Sequence, residues 1–394
     1  MLIEIHILQN HSPSNLNRDD TGSPKECVFG GVRRGRISSQ CLKRTVRRSD
    51  IFQTTLAGHL GTRTRQLPEL VREAFAKDPA LAPLAELAAK KTSGFGTKEG
   101  TERPVDKSGK YLTAQTMFLA DSDIQAVIDV VRGEAAGKSA KDFEKVKTKD
   151  LQAAAVSNGF RPISVDVALF GRMVTNESIR DVEASCQVAH ALSTHRVEAE
   201  FDYFTAVDDL QGKDESEREE DSGADMIGDV EYNSACYYKY FSVDLRALVD
   251  NMAGRGIHKE VHAEEERQAG EIARKAVLAM LEAAVMVTPS GKQNTFASHT
   301  LPAAVLVEVR PVRTPISYAN AFVKPVHHTE SPEGLVQASL ERFGTHIEKI
   351  TQAFGLRSDR RLWFAPEHLV NVSGTEKVDT LPDLYKKLEE AMGG

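Results

Sequence analysis

Apolar and polar residues alternate from the start of the chain. In residues 2–8, Ile3, Ile5 and Ile7 share one face while Glu4 and His6 take the other, a period of two that predicts a half-buried strand. Strand signals return at residues 163–170, and again at 201–207, 232–243 and 303–310, the middle two rich in aromatic side chains. Helical spacing is expected instead at 39–50, where Ser38 or Ser39 can cap the first turn, and at 181–195 and 263–287. Residues 56–162 change character to Ala-, Glu- and Lys-rich helical stretches, broken by a polar, Gly-containing region at 92–109, and predict an inserted helical domain. A helical region is expected after the strand at 303–310, and no internal repeat is visible. Between the first strand and the first helix, Ser12, Pro13, Ser14, Asn15, Asn17, Gly22, Ser23, Pro24 and Gly30-Gly31 predict a long turn-rich loop, a feature that tends to carry function.

With the helical insertion and a hairpin around residues 201–243 set aside, the order is strand, helix, strand, strand, helix, strand. That is the ferredoxin-like pattern of RNA-recognition folds, so the expected class is α+β with an RRM-like core. A chain of 394 residues can bury a substantial core, as two or three domains or as one with large insertions.

Charge changes this picture locally. The formal net charge is -7, which argues against non-specific adhesion to nucleic acid. Yet residues 33–48 carry seven basic side chains and no acidic one, so the remainder of the chain sums to -14. A small cationic site on an acidic body is implied. In a helix starting at Ser39, successive residues advance about 100°, so Lys43, Arg44, Arg47 and Arg48 fall within an arc of roughly 140°. Leu42, Thr45, Val46 and Ser49 face the opposite way and can pack on a sheet. Arg33, Arg34 and Arg36 enter the same region from the preceding loop, with Ser38, Ser39 and Gln40 as hydrogen-bond donors. Backbone phosphates are the natural ligand of such a face, because each contact releases counterions and needs no base identity; the alternative is a solvated basic face. Conversely, eleven acidic residues crowd positions 208–231 against Lys213 and Arg218, as expected of an acidic hairpin tip.

Other chemistries find less support. Cys27, Cys41, Cys186 and Cys236 lack the paired spacing of zinc or redox motifs, and a reduced, cytoplasmic setting is expected. Neither a signal peptide nor a membrane span is expected, since the apolar runs near the amino terminus and at 276–287 are interrupted by charged residues. Residues 133–139, Gly-Glu-Ala-Ala-Gly-Lys-Ser, are one residue short of a phosphate-binding loop and follow a helical pattern. His258 and His262 are four apart, without a third metal ligand. No cofactor and no metal are expected. RNA cleavage has candidate residues in Asp19, Asp20, His6 and His11, although both aspartates suit loop hydrogen bonding beside Arg18 equally well. A stand-alone RRM-like RNA-binding module is a further reading.

Three blocks of residues resemble one family. Asn17-Arg18-Asp19-Asp20, Phe29-Gly30-Gly31, Arg36-Ile37-Ser38-Ser39-Gln40 and Leu42-Lys43-Arg44 form the first. Gly171-Arg172-Met173, Ala189-His190-Ala191, Thr194-His195 and the run from Phe204 to Leu210 form the second. Lys292-Gln293 with Phe296-Ala297, and residues 317–322, form the third. Together they resemble the CasC family, the backbone subunit of the type I-E Cascade complex, over less than half of the chain. The resemblance implies a modified ferredoxin-like (RRM-like) palm at 1–55, 163–199 and 242–394, the last with a carboxy-terminal helical region. It also implies helical fingers at 56–162 and a protruding thumb β-hairpin at 200–241. By the same resemblance the chain is a non-catalytic subunit. Further copies of itself line up along a CRISPR guide RNA that pairs with target DNA. The large subunit, the small subunit, a guide-processing endonuclease and a 5′-handle-binding subunit are the other implied partners. Arg18, Lys43 and Arg44 become guide-phosphate contacts, helped by Ser38 and Gln40, and Lys292 falls in the third block. Met173 and Phe204 take the place of apolar wedges against a base, although core packing is the alternative for both. Lys138, Lys141, Lys145, Lys147 and Lys149 match the family's DNA-facing lysines in place but not in spacing, leaving a solvated helix face as the alternative. The acidic stretch 214–225 departs from the family pattern and is expected to point away from phosphates.

Overall fold

In the computed structural model, residues 1–97, 99–157, 164–172, 182–206, 226–254, 263–367 and 370–393 are described. The chain divides into two compact units. One comprises Met1–Ile51, Val188–Ser242 and Met280–Gly394, the other Phe52–Gln187 and Val243–Ala279.

The first unit is organised by the strand Leu2–Ser14. It pairs antiparallel with Ala304–Arg310, from Leu2 opposite Arg310 to Leu8 opposite Ala304. On its other side lies the long strand Met226–Asp244, which pairs antiparallel with Ala191–Ser193. Numbered along the chain, these four strands lie side by side as fourth, first, third and second. The helix Ser39–Arg48 follows the first strand and Ala263–Met286 precedes the fourth, which gives the strand-helix-strand-strand-helix-strand order of a ferredoxin-like palm in an α+β chain. Arg360–Phe364 and Glu376–Val378 extend the sheet beyond the fourth strand, the latter parallel to its neighbour. These two strands interrupt the helical region expected near the carboxy terminus.

The first strand is not half-buried. Ile3, Ile5 and Ile7 are covered on one face, and Glu4, His6 and Leu8 are equally covered on the other. Central strands of a sheet packed on both sides lose the contrast that alternation predicts. Glu4 and His6 tolerate burial because they are bonded: Tyr240 donates to Glu4 at 2.5 Å, Arg310 pairs with Glu4, and the His6 Nδ1 lies 2.8 Å from the Tyr238 hydroxyl. Around them Tyr238, Tyr318, Phe322, Phe343 and Trp363 build an aromatic core against the helix Leu335–Phe354.

Three further expectations change. The loop before the first helix contains a hairpin, Glu26–Phe29 with Val32–Ile37, closed by Gly30-Gly31 at φ of 62° and 80°. Two successive residues with positive φ match a two-residue hairpin turn, and Phe29 pairs with Val32 across it. Arg33, Arg34 and Arg36 therefore lie on a strand. The described part of 163–170 holds the helix Val165–Phe170, since a short apolar run has no periodicity to choose between helix and strand. Within 181–195 the strands Cys186–Val188 and Ala191–Ser193 replace the expected helix; Leu192 pairs with both Arg36 and Tyr238, and this tertiary pairing overrides a weak helical preference.

The second unit is mainly helical. Leu67–Ala76, Ala85–Thr92, Asp121–Ala135 and Thr148–Ser157 enclose a core that includes Val71, Phe75, Phe95, Val127, Val131 and Phe143. No helix among the described residues is long and apolar enough to cross a membrane.

Candidate nucleic-acid interface

The basic helix is held from both ends. At its start the Ser38 hydroxyl accepts from the Cys41 amide at 3.3 Å, while the Ser38 amide donates to Asn17 Oδ1 at 2.8 Å. Ser38 is thus a buried cap, and this replaces the expectation that its side chain serves a ligand. At the other end both the amide and the hydroxyl of Ser49 donate to the Val46 carbonyl. Leu42 and Val46 are buried beneath, Gln40, Arg44 and Arg48 are exposed, and Lys43 and Arg47 are half-buried at the flanks. Its first turn carries no carboxylate, and Arg47 and Arg48 sit in the last turn, where cations suit the negative end of the helix dipole.

The loop that carries Arg18 packs beside this helix. Arg18 bridges to Pro24 and is exposed, and a hollow of about 520 Å³ is lined by Arg18, Asp19, Asp20, Cys41, Arg44 and Gly291 among others. Gly291 is required there, because a Cβ would lie 2.3 Å from the Leu16 carbonyl oxygen. Lys292, next in the chain, is half-buried in a left-handed conformation and caps the short helix Gln293–Phe296. The Asp19 carboxylate accepts from the Thr21 hydroxyl and from the amides of Thr21 and Ser23 at 2.8 to 3.0 Å. These bonds, the Thr21 hydroxyl first, hold its pKa below the usual carboxylate value. The group shapes the loop.

The three arginines of the hairpin separate. Arg33 is exposed and pairs with Glu26 at 3.1 Å. Arg36 donates to the Glu26 carbonyl at 3.2 Å and to His190 Nδ1 at 3.3 Å. Arg34 is completely buried and donates to the carbonyls of Phe29, Ser193, Phe322 and Val323. Its guanidinium is consumed in joining the hairpin to the palm, so its place among the ligand contacts is corrected.

On the second hairpin, Glu200–Ala206 pairs with the start of Met226–Asp244, and Phe204 stands opposite Gly228. A Cβ at Gly228 would come within 2.5 Å of the Phe204 ring, so the ring lies over that glycine and stays 40% exposed. Phe201 and Tyr203 point to the other face at 62% and 64% exposure. Sequence reasoning passed over both, although their alternation with Asp202 and Phe204 displays two aromatic faces. It also passed over Lys25, which acts electrostatically on both Cys41 and His190. Met173, the acidic stretch 214–225, and His258 with His262 lie outside the described residues.

Lys138, Lys141, Lys145, Lys147 and Lys149 are all exposed in the helical unit, with Lys138 paired to Glu134 and Lys145 to Asp142. Gly133 is inside the helix Asp121–Ala135, which removes any phosphate-binding loop at 133–139. All four cysteines are free.

The sequence profile of CT1975-like proteins matches residues 3–387. The chain belongs to the CT1975-like protein family. Among solved structures, this CT1975-like protein is similar to a chain described as "CRISPR RNA-guided surveillance complex, pre-nicking", with 29% identity, a TM-score of 0.80 and full coverage of both chains. A second, described as "CRISPR RNA-guided surveillance complex", has 23% identity, a TM-score of 0.59 and 99% coverage of both, a likeness of fold. No curated protein matches.

Proposed function

We propose that this CT1975-like protein is the CasC-type backbone subunit of a Cascade surveillance complex of type I-E, binding a CRISPR guide RNA along its sugar-phosphate backbone. The observation that carries this is the carboxylate-free basic helix beside the Arg18 loop, on an RRM-like palm whose whole length is similar to a chain of an RNA-guided surveillance complex. Arg18, Gln40, Lys43, Arg44, Arg47 and Arg48 grip phosphates, Arg33 and Arg36 extend the path, and Lys292 follows Gly291, which lines the Arg18 hollow. Phe204 presents a ring to a base. Copies of the chain assemble side by side on one guide, base pairing reads the target DNA, and the exposed fingers lysines attract that DNA. The other subunits of such a complex are its partners.

The test is the mass, by light scattering, of the protein mixed with guide-like RNAs of increasing length. Stepwise addition of copies supports the backbone role; a constant one-to-one complex would leave an RNA-binding module. Cleavage of RNA is the competing reading, and the burial of His6 and His11, at 1% and 0% exposure, weighs against two of its candidates. The chain is proposed to be non-catalytic. Divalent-dependent shortening of bound RNA that disappears in Asp19→Ala or Asp20→Ala would reverse this.

A further inference from the structure

His190 is an exposed residue just before the strand Ala191–Ser193, and its imidazole is oriented from one side only. Arg36 Nη1 and the backbone amide of Ser39 both donate to its Nδ1, at 3.3 and 3.4 Å. A nitrogen that accepts two hydrogen bonds carries no proton, so the ring proton is on Nε2. Among the described residues no acceptor is bonded to that Nε2–H. The neighbourhood is cationic: Lys25 and Arg36 act on the ring, and Arg36 itself is anchored to the Glu26 carbonyl. Burial first, and then these two cations, hold the imidazole below its ordinary pKa, which favours the neutral tautomer that the hydrogen bonds define.

We infer that His190 is a direct contact to the bound RNA, donating from Nε2–H, as a neutral imidazole, to a phosphodiester oxygen that Lys25 and Arg36 attract to the same spot. This rests on the proposed RNA-binding role and adds a residue to it. The reasoning is geometric. An outward donor held in one tautomer, beside two cations and on the same helix start as Gln40, is arranged for an acceptor bearing negative charge. Among the described residues no glutamate or aspartate accepts from this Nε2–H, and a phosphate diester has the acceptor oxygens and the charge.

The experiment measures affinity of the full chain for single-stranded RNA at mildly alkaline pH over a range of salt concentrations. Parent, His190→Ala, His190→Asn and Arg36→Ala are compared. Asparagine can accept from Arg36 and Ser39 as Nδ1 does but has no donor at the Nε2 position. The expected result is that both His190 variants bind about tenfold more weakly, the loss of one hydrogen bond to a charged group. Their salt dependence stays parallel to the parent's, because a neutral donor releases no counterion. Arg36→Ala should instead flatten the log-log slope by about 0.7, the single-strand value for one phosphate. Full affinity in His190→Ala overturns the contact. Full affinity in His190→Asn overturns it too, since His190 would then only brace Arg36, and a changed slope in either overturns the neutral form. A parent that ignores RNA overturns the proposed function and this inference together, and is distinguishable from all three.

Discussion

Arg34 and Arg44 look alike in the sequence and do opposite things in the fold. Arg34 lies on a strand, is enclosed, and donates to carbonyl oxygens with the Phe29 ring beside its guanidinium, whereas Arg44 projects from a helix into the open hollow. Neither composition nor local spacing distinguishes them, because burial of Arg34 depends on Phe322 and Val323, nearly three hundred residues away in the chain. Arg34→Ala should therefore cost about 3 kcal/mol of unfolding free energy in urea, by orphaning buried acceptors, while Arg44→Ala stays within about 0.5 kcal/mol. Equal stability of the two variants would refute the clamp. A second buried cation is titratable. Lys239 is enclosed, donates to Gln9 Oε1, and burial lowers its pKa from 10.5 to about 8, with Cys41 opposing the shift. Between those two values the unfolded chain binds the extra proton, so the charged lysine penalises folding most below pH 8 and the penalty fades as pH rises. Cys236 works against this above pH 9, since burial raises its pKa to about 11, so the useful quantity is a difference between proteins. Lys239→Met should gain stability relative to the parent at neutral pH. That relative gain should shrink by on the order of 2 kcal/mol from pH 8 to pH 10, because constant costs such as an unpaired Gln9 cancel. A pH-independent difference would mean that Lys239 is not the titrating group.

At the scale of elements, the basic helix was the most legible part of the site. Its period places Leu42 and Val46 beneath and the cations above, and the helix Ser39–Arg48 has that arrangement. What the period cannot give is the depth at which each cation sits. Lys43 and Arg47 are half-buried and have interactions of their own, while Arg44 and Arg48 face outward. The double variant Arg44→Ala with Arg48→Ala is thus the clean probe of the face. It should bind RNA with a log-log salt slope shallower by about 1.4 than the parent, with unchanged thermal unfolding. An unaltered slope would remove the helix from the interface. The preceding hairpin was illegible for a physical reason: Gly30-Gly31 reads as a loop until Phe29 finds Val32, and only pairing turns two glycines into a turn. The strand Ala191–Ser193 was lost in the same way, since its identity comes from Tyr238 and Arg36 on other segments.

For the whole chain, the alternation of strands and helices foretold the palm only in part: Leu2–Ser14, Met226–Asp244 and Ala304–Arg310 are long or strongly apolar and were read as strands, whereas the fourth central strand, the three-residue Ala191–Ser193, was read as helix. The separation of charge matters more for function. Outside residues 33–48 the chain sums to -14, which disfavours nucleic acid on average, so that carboxylate-free segment stands out as a local attractor for phosphates. In the proposed role the contacts do not depend on base identity: Arg18, Arg44 and Arg48 are exposed cations suited to phosphates, and an exposed ring such as Phe204 can stack on any base. Two RNAs of equal length and unrelated, unstructured sequence should therefore bind within about threefold of each other, and load the same number of copies by light scattering. Raising salt from about 0.1 M, where charges are screened beyond about 10 Å, should weaken both equally. If one sequence retained its affinity while the other lost it, contacts to bases would dominate, and the chain would be a sequence-reading module in place of a backbone that leaves reading to the guide.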